Sequence, residues 1–355
     1  MALQKAVNFI SDGWGLTPAE FTKVLSDCTQ TGQIQLDNYA LGGVVEQMER
    51  KFAQMLGKDR ALFLPTGTMA NHIALRTLSG GQGKVIVQAD SHIYRDIGDS
   101  AQTLSGLNLV PLGHGRVGFT LEEVQQTLES LVSERVATQI KAISIETPVR
   151  RHDDAMFGLE EIRRITDYAR QRQIATHLDG ARLFIEAVHT EVDPKQYADL
   201  FDTVFVSLSK CFNSASGAII AGPEDLIDNL YHTRRMFGGS LPQAWPQAVV
   251  ALHYADEFLP AYRAAWQTAQ SLFEQLNERD EFRVEHVPQG THIVHLYVAN
   301  TDLPRFVEQL HGDGIHLMPV EPGTDYVTLK VNPSIHAASP VELAEAFITA
   351  AQATD

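Results

Sequence analysis

The sequence predicts an α/β protein: a large domain built on a mainly parallel sheet covered by helices, and a smaller α+β C-terminal domain. Three observations lead there. Short apolar runs alternate with helical patterns from about residue 60 to residue 221, the β–α–β order that buries a parallel sheet between helices. After about residue 250 long helical segments precede two alternating, half-buried strands. The length of 355 residues exceeds one core of typical size, which suggests two domains, 1–250 with the N-terminal segment and 251–355.

The elements follow in order. Residues 1–40 are mixed and turn-rich, with Gly13, Gly15, Pro18 and Gly32. Val44, Val45, Met48, Phe52, Met55 and Leu56 form a helical stripe that Gly57 closes as a C-cap. Ala61–Leu64 reads as a strand, and Pro65-Thr66-Gly67-Thr68 turns into a helix through Leu78. Gly80-Gly81-Gln82-Gly83-Lys84 lacks the spacing of a phosphate-binding Walker loop and reads as a turn. Val85–Val87 is strand-like. Thr120 opens a helix with Glu123 completing a capping box. Ala142–Ile145, Ile174–Leu178, Thr203–Val206 and Ala218–Ala221 read as strands, with a helix around Leu159–Ala169. Helical segments run through Leu276. Thr291–Val298 and Tyr326–Val331 alternate as strands, and a last helix starts near Pro340.

Composition narrows the function. The formal net charge is −16, from 44 acids and 28 bases, so a nucleic-acid partner or an anionic membrane surface is not expected. Two cysteines give no disulfide framework or metal cluster. The first ten residues carry no long apolar core with a basic flank, and no stretch is long enough to span a bilayer. A reducing cytoplasm is the expected compartment.

Chemistry concentrates at strand ends, where open α/β sheets bind ligands. Lys210 closes Ser207-Leu208-Ser209-Lys210 directly after one apolar run, and Asp179 closes the preceding run before Gly180. A lysine for a Schiff base and an acid for a pyridinium nitrogen are what pyridoxal 5'-phosphate requires of a protein. Asp179 also reads as an N-cap for the segment Ala181–Val188. His92, after the strand Val85–Val87, is placed to stack on a planar ring and exchange protons. Gly67 and Thr68 open a helix after a strand, an anion site by virtue of its N–H groups and dipole. Arg182 suits a substrate carboxylate. Gly238-Gly239 either wraps a phosphate or turns the chain. His177 shares a strand face with Asp179 and reads as its support. His292 and His295 cannot share a face, so no metal site is expected.

The segments Phe63-Leu64-Pro65-Thr66-Gly67-Thr68-Met69-Ala70-Asn71, Ser91-His92, His177-Leu178-Asp179-Gly180-Ala181-Arg182 and Ser207-Leu208-Ser209-Lys210 resemble the threonine aldolases. These belong to the β-eliminating lyase group of fold-type I pyridoxal-phosphate enzymes, with the aspartate-aminotransferase-like fold. The similarity runs over nearly the whole chain. It implies that Lys210 holds the cofactor, Asp179 contacts its ring nitrogen, His92 stacks on its face, and Gly67 and Thr68 bind its phosphate, with Ser207 and Arg182 also cofactor-binding. It also implies that Ser11 and Arg182 contact the substrate carboxylate, and that Tyr39 and Gly238-Gly239 reach a neighbouring subunit's site in a homodimer or homotetramer.

Some positions depart from the family pattern. Its Glu-Asn-Thr-His-Asn is Glu146-Thr147-Pro148-Val149-Arg150 here, so Val149 replaces a second histidine. Pro242 and Thr328 stand where the family has arginines. Lys330, Arg150 and Arg151 are cations available in their stead. The implied activity is cleavage of the Cα–Cβ bond of a β-hydroxy-α-amino acid to glycine and an aldehyde. β-Elimination or transamination of another amino acid is the alternative within the same cofactor. A NAD-dependent oxidoreductase lacks its G-x-G-x-x-G, and a catalytically silent binding protein would show no lysine-bound cofactor.

Overall fold

The computed structural model describes residues 6–30 and 34–353. The turn expected at Gly32 and the start of the N-terminal segment lie outside them. The chain forms two compact units, one from Phe21 to Tyr254 and one comprising the residues up to Glu20 and from Ala255 onward.

The larger unit is built on a seven-stranded sheet. Its spatial order is Arg60–Leu64, Ala218–Gly222, Thr203–Ser207, Ala175–Asp179, Ile140–Glu146, Lys84–Gln88 and Asn108–Leu112. Ala218–Gly222 runs antiparallel to both neighbours, and the other pairings are parallel. Every residue of Thr203–Ser207 and Ala218–Gly222 is buried, as continuous apolar runs demand when both faces of a sheet are covered. Helix Gly67–Leu78 covers one face: Ala70, Ile73 and Ala74 pack with Leu62, Leu64, Phe205 and Ile220. Glu146 lies opposite Asp179, and Asp179 opposite Phe205. The carboxyl ends of three neighbouring strands are therefore level with one another.

Local signals hold where expected. Gly57 ends helix Gly43–Leu56 in the left-handed region at φ 63°. Thr120 and Glu123 form both bonds of the capping box before helix Leu121–Val132.

The smaller unit contains an antiparallel sheet ordered Val327–Lys330, Ile293–Val298, Phe282–His286, and a separate parallel pair, Val7–Asn8 with Ile315–His316. Helices Phe258–Asn277, Leu303–Gly312 and Pro340–Ala353 contribute to its core, where Phe347 meets Phe9 and Phe306 edge-on at 6.2 and 6.0 Å.

Several features differ from the sequence reading. The N-terminal segment, expected with the large domain, groups with the C-terminal unit because Val7–Asn8 pairs with Ile315–His316. Helix Pro18–Thr29 lies in a stretch read as turns, and it has no buried residue, so it lacks the apolar stripe that announces a helix. Strand Asn108–Leu112 hides behind Pro111. It is the edge of the sheet, where a residue without an N–H is tolerated. Strand Phe282–His286 is likewise an unexpected edge. Asp179 is not a helix N-cap: helix Leu183–Thr190 begins later with Arg182 at that position. Among the described residues, no helix is long and apolar enough to cross a membrane.

Thr120→Ala removes one half of the capping box while Glu123 retains its own bond. The expected outcome is a loss of ~1 kcal/mol, read as a lower urea midpoint with an unchanged denaturant slope.

Candidate active site

Gln88, Glu146, Asp179 and Ser207 are the final residues of four parallel-paired strands. Lys210 follows Ser207 in the turn that leaves the sheet. Gly67, Thr68, His92, Asp179, Arg182, Ser207 and Lys210 line one cavity of about 160 Å³, together with Glu146, Arg150, Ala181, Phe205 and Ser209. Seven of the residues nominated in the larger unit from sequence thus converge on one space, whereas Tyr39, Gly238 and Gly239 are not among its lining residues. Ser11 and Lys330 belong to the smaller unit. There the Lys330 ammonium is 3.6 Å from Asp12, which also meets His292 at 2.9 Å, and Asn332 donates to the Ser11 carbonyl at 2.8 Å.

Asp179 is 1% exposed. The Asn71 amide donates to its Oδ2 at 2.6 Å and the Ala181 N–H to its Oδ1 at 3.3 Å. Behind it, Asn71 Oδ1 is 2.9 Å from His177 Nε2, and His177 Nδ1 is 2.8 Å from the Thr203 hydroxyl. Burial pushes His177 down to about 3, which leaves the imidazole neutral. A neutral ring has one donor and one acceptor. Since the Asn71 nitrogen serves the carboxylate, its oxygen must accept the His177 Nε2–H, and Nδ1 accepts from Thr203. Donors therefore run in one direction from the strand interior to the acid. His177 is the supporting residue its sequence position indicates.

Glu146 is the second buried acid. Burial, then the nearby Asp179, push its carboxyl up to about 8, against the pull of the Arg150 and His92 N–H groups and of Arg182. Its Oε2 accepts the His92 backbone N–H at 2.5 Å and its Oε1 that of Arg150 at 3.0 Å. Gln88 bonds both the N–H and the carbonyl of the same residue, at 2.7 and 2.8 Å. Glu146 thereby ties the turn carrying His92 and the turn carrying Arg150 to one strand end.

Gly67 allows close packing. A Cβ there would lie 2.7 Å from the Phe205 ring. As the first residues of a helix capped by Thr66, Gly67 and Thr68 present N–H groups that have no acceptor within the helix, and the dipole there favours an anion. The His92 side chain is 27% exposed, with Nδ1 3.7 Å from Asp96. Arg182 and Asp154 are both buried, Nε to Oδ2 at 3.4 Å. Ser207 and Ser209 hydroxyls lie 3.2 Å apart. Val149 is wholly buried and its backbone bridges Ala155, whereas neighbouring Arg150 faces the cavity.

The cavity thus combines a primary amine for carbonyl capture, a buried acid with one donor on each oxygen, a helix start for an anion and a guanidinium for a carboxylate. Glu146 and Asn71 are central here, although the sequence reading assigns them no role. Glu146 carries a signal, being an acid at a strand end like Asp179. The signal for Asn71 is fainter: it is an amide inside the apolar stretch Ala70–Leu75, one turn beyond Gly67.

The family model described as beta-eliminating lyase matches residues 20–299. A low-specificity L-threonine aldolase of Candida albicans is 30% identical over 59% of this chain and 56% of its own length. An alanine racemase of Cochliobolus carbonum is 34% identical over 55% of this chain and 50% of its own. The chain therefore spans about half the length of these curated relatives. A candidate L-allo-threonine aldolase of Listeria monocytogenes EGD-E superposes with a TM-score of 0.79 at 25% identity, covering 99% of this chain and 97% of that one.

Behind the site, Thr147 donates to Glu186 at 2.8 Å, and burial pushes this wholly enclosed carboxyl up to about 8 from 4.5. The folded state then holds a proton that the unfolded chain releases near 4.5, so this residue's contribution to stability falls as pH rises from about 4.5 to about 8. Glu186→Gln has no such proton. Relative to the parent, its melting temperature is expected to rise across that window and level off above it. Parallel pH profiles for the two proteins would contradict this assignment.

Proposed function

The chain belongs to the β-eliminating lyase family, and from that premise we propose that it is a pyridoxal-phosphate-dependent lyase cleaving the Cα–Cβ bond of a β-hydroxy-α-amino acid to glycine and an aldehyde. The observation that carries the reading is the shared cavity of Lys210 and buried Asp179. The donor set suits the cofactor. The start of helix Gly67–Leu78 offers N–H groups to a phosphate, Lys210 offers the amine, and Asp179 offers a carboxylate already oriented by Asn71.

When bound, the cofactor supplies an electron sink for the pair released at Cα. The protein's share is placement and proton handling. Lys210 would hold the cofactor through its side-chain amine. Asp179, kept as an acceptor by donors on both its oxygens, would hold a proton at the ring nitrogen. Arg182, set by Asp154, grips the substrate carboxylate, and so fixes which bond at Cα is directed toward the sink. His92 borders the cavity with its ring near Asp96, suited to accept the β-hydroxyl proton directly or through water. The resemblance to the Candida albicans and Listeria monocytogenes proteins supports the aldol cleavage.

A second reading, racemisation at Cα, is favoured by the Cochliobolus carbonum relative. It uses the same lysine and acid and leaves the Cα–Cβ bond intact. Products separate the two: glycine and acetaldehyde from threonine, against D-alanine from L-alanine.

With pyridoxal phosphate added, the purified protein is expected to form a visible lysine-bound chromophore and to release glycine from threonine or a related β-hydroxy amino acid. Lys210→Ala should lose that chromophore and slow glycine release by ~10³-fold or more. Normal turnover in the variant would refute the assignment.

A further inference from the structure

We propose that Arg150 selects substrates with a second anion, namely β-hydroxy-α-amino acids carrying a carboxylate on Cβ. This rests on the aldol-cleavage reading above. The argument is a balance of charges along the cavity wall. Arg182 is matched by Asp154, one buried cation by one buried anion. Beside His92 the match fails. Arg151 takes both oxygens of Asp96, Nη2 at 2.5 Å and Nε at 3.4 Å. Arg150 reaches the same carboxylate through Nη1 at 3.2 Å. Although burial acts to raise Asp96, the Arg151 hydrogen bond and both guanidiniums hold it below the usual carboxylate range, so it contributes one negative charge against two positive ones.

The nearby acids are engaged by other groups, Asp179 by the Asn71 amide and the Ala181 N–H. Asp90 is engaged by Arg95 at 3.4 Å and His152 at 3.2 Å. Glu146 is turned to the backbone: its two oxygens accept the His92 and Arg150 N–H groups, and burial beside Asp179 pushes its carboxyl up. Of the two arginines on Asp96, Arg150 lines the cavity, with its side chain 56% exposed. A bound amino acid thus meets two guanidiniums in different settings, Arg182 buried and held, Arg150 open to water and anchored at one nitrogen. One α-carboxylate occupies one of them. In a chain of net charge −16, a cationic surplus at this cavity attracts a dianionic substrate and distinguishes it from threonine.

The cleavage balances without an added oxidant. The Cα–Cβ bond breaks and its electron pair stays with Cα, which takes up a proton. The β-hydroxyl loses its proton as Cβ becomes an aldehyde carbon. The products are glycine and an oxo acid.

The test uses the pyridoxal-phosphate-loaded protein with 3-hydroxyaspartate and threonine as substrates, and succinate and butyrate as non-reacting ligands measured by calorimetry. The parent is expected to prefer 3-hydroxyaspartate, and Arg150→Gln to lower the ratio of its kcat/KM to that of threonine about tenfold, through KM. Arg150→Lys should fall between, keeping charge but not the fork. Succinate should bind Arg150→Gln more weakly than the parent, with no matching loss for butyrate. Equal losses on both substrates, a parent without the preference, or a fall in cofactor affinity with selectivity intact would each overturn the proposal. Should neither substrate be cleaved while succinate binding still depends on Arg150, the reaction assignment fails and the charge selection stands. Indifference of succinate binding to residue 150 sinks the charge selection whatever the reaction.

Discussion

Two carboxyl groups side by side at the buried ends of neighbouring strands are the constraint around which this structure is organised. Parallel pairing sets Glu146 opposite Asp179, on strands spaced by about 4.8 Å. Like charges so close and so poorly solvated disfavour one another strongly. The surroundings treat the two differently. Asp179 receives an amide and an N–H, with a neutral histidine and a threonine hydroxyl aligned behind the amide. Glu146 receives two backbone N–H groups and has its carboxyl pushed up to about 8. One acid is held ready to meet a cation. The other anchors two turns through its bonds to the His92 and Arg150 N–H groups.

That division has a structural consequence for the cavity. The N–H groups bound by Glu146 belong to His92 and Arg150, so a single side chain positions both the ring and the guanidinium at the wall. Asp96 then adds a layer behind them, meeting His92, Arg150 and Arg151. Glu146 is the buried member of this set, and a buried polar group is costly if one of its partners is missing. The tip of Arg150 is the most exposed part of this arrangement.

Much of this was legible before any coordinates. The apolar runs that became central strands, the Thr120–Glu123 cap, the Gly57 cap and the residues at the ends of the strands follow from local periodicity and capping chemistry, which act within a few residues. Edge elements were less visible. Pro111 obscures a strand that needs hydrogen bonds on one side only, and helix Pro18–Thr29 buries nothing and so shows no stripe.

The sequence alone determined the cofactor-type residues, Lys210 and Asp179, and their placement at the ends of consecutive strands, because strand period and strand ends are local properties. Tertiary structure alone decided which partners they have. Asn71 reaches Asp179 across 108 positions of chain, and Arg150 and Arg151 reach Asp96 across 54 and 55. Those pairings depend on strand order and on which helix covers which face. They also determine which acid meets a side-chain amide and which meets two turn N–H groups, and no local pattern of residue types encodes that.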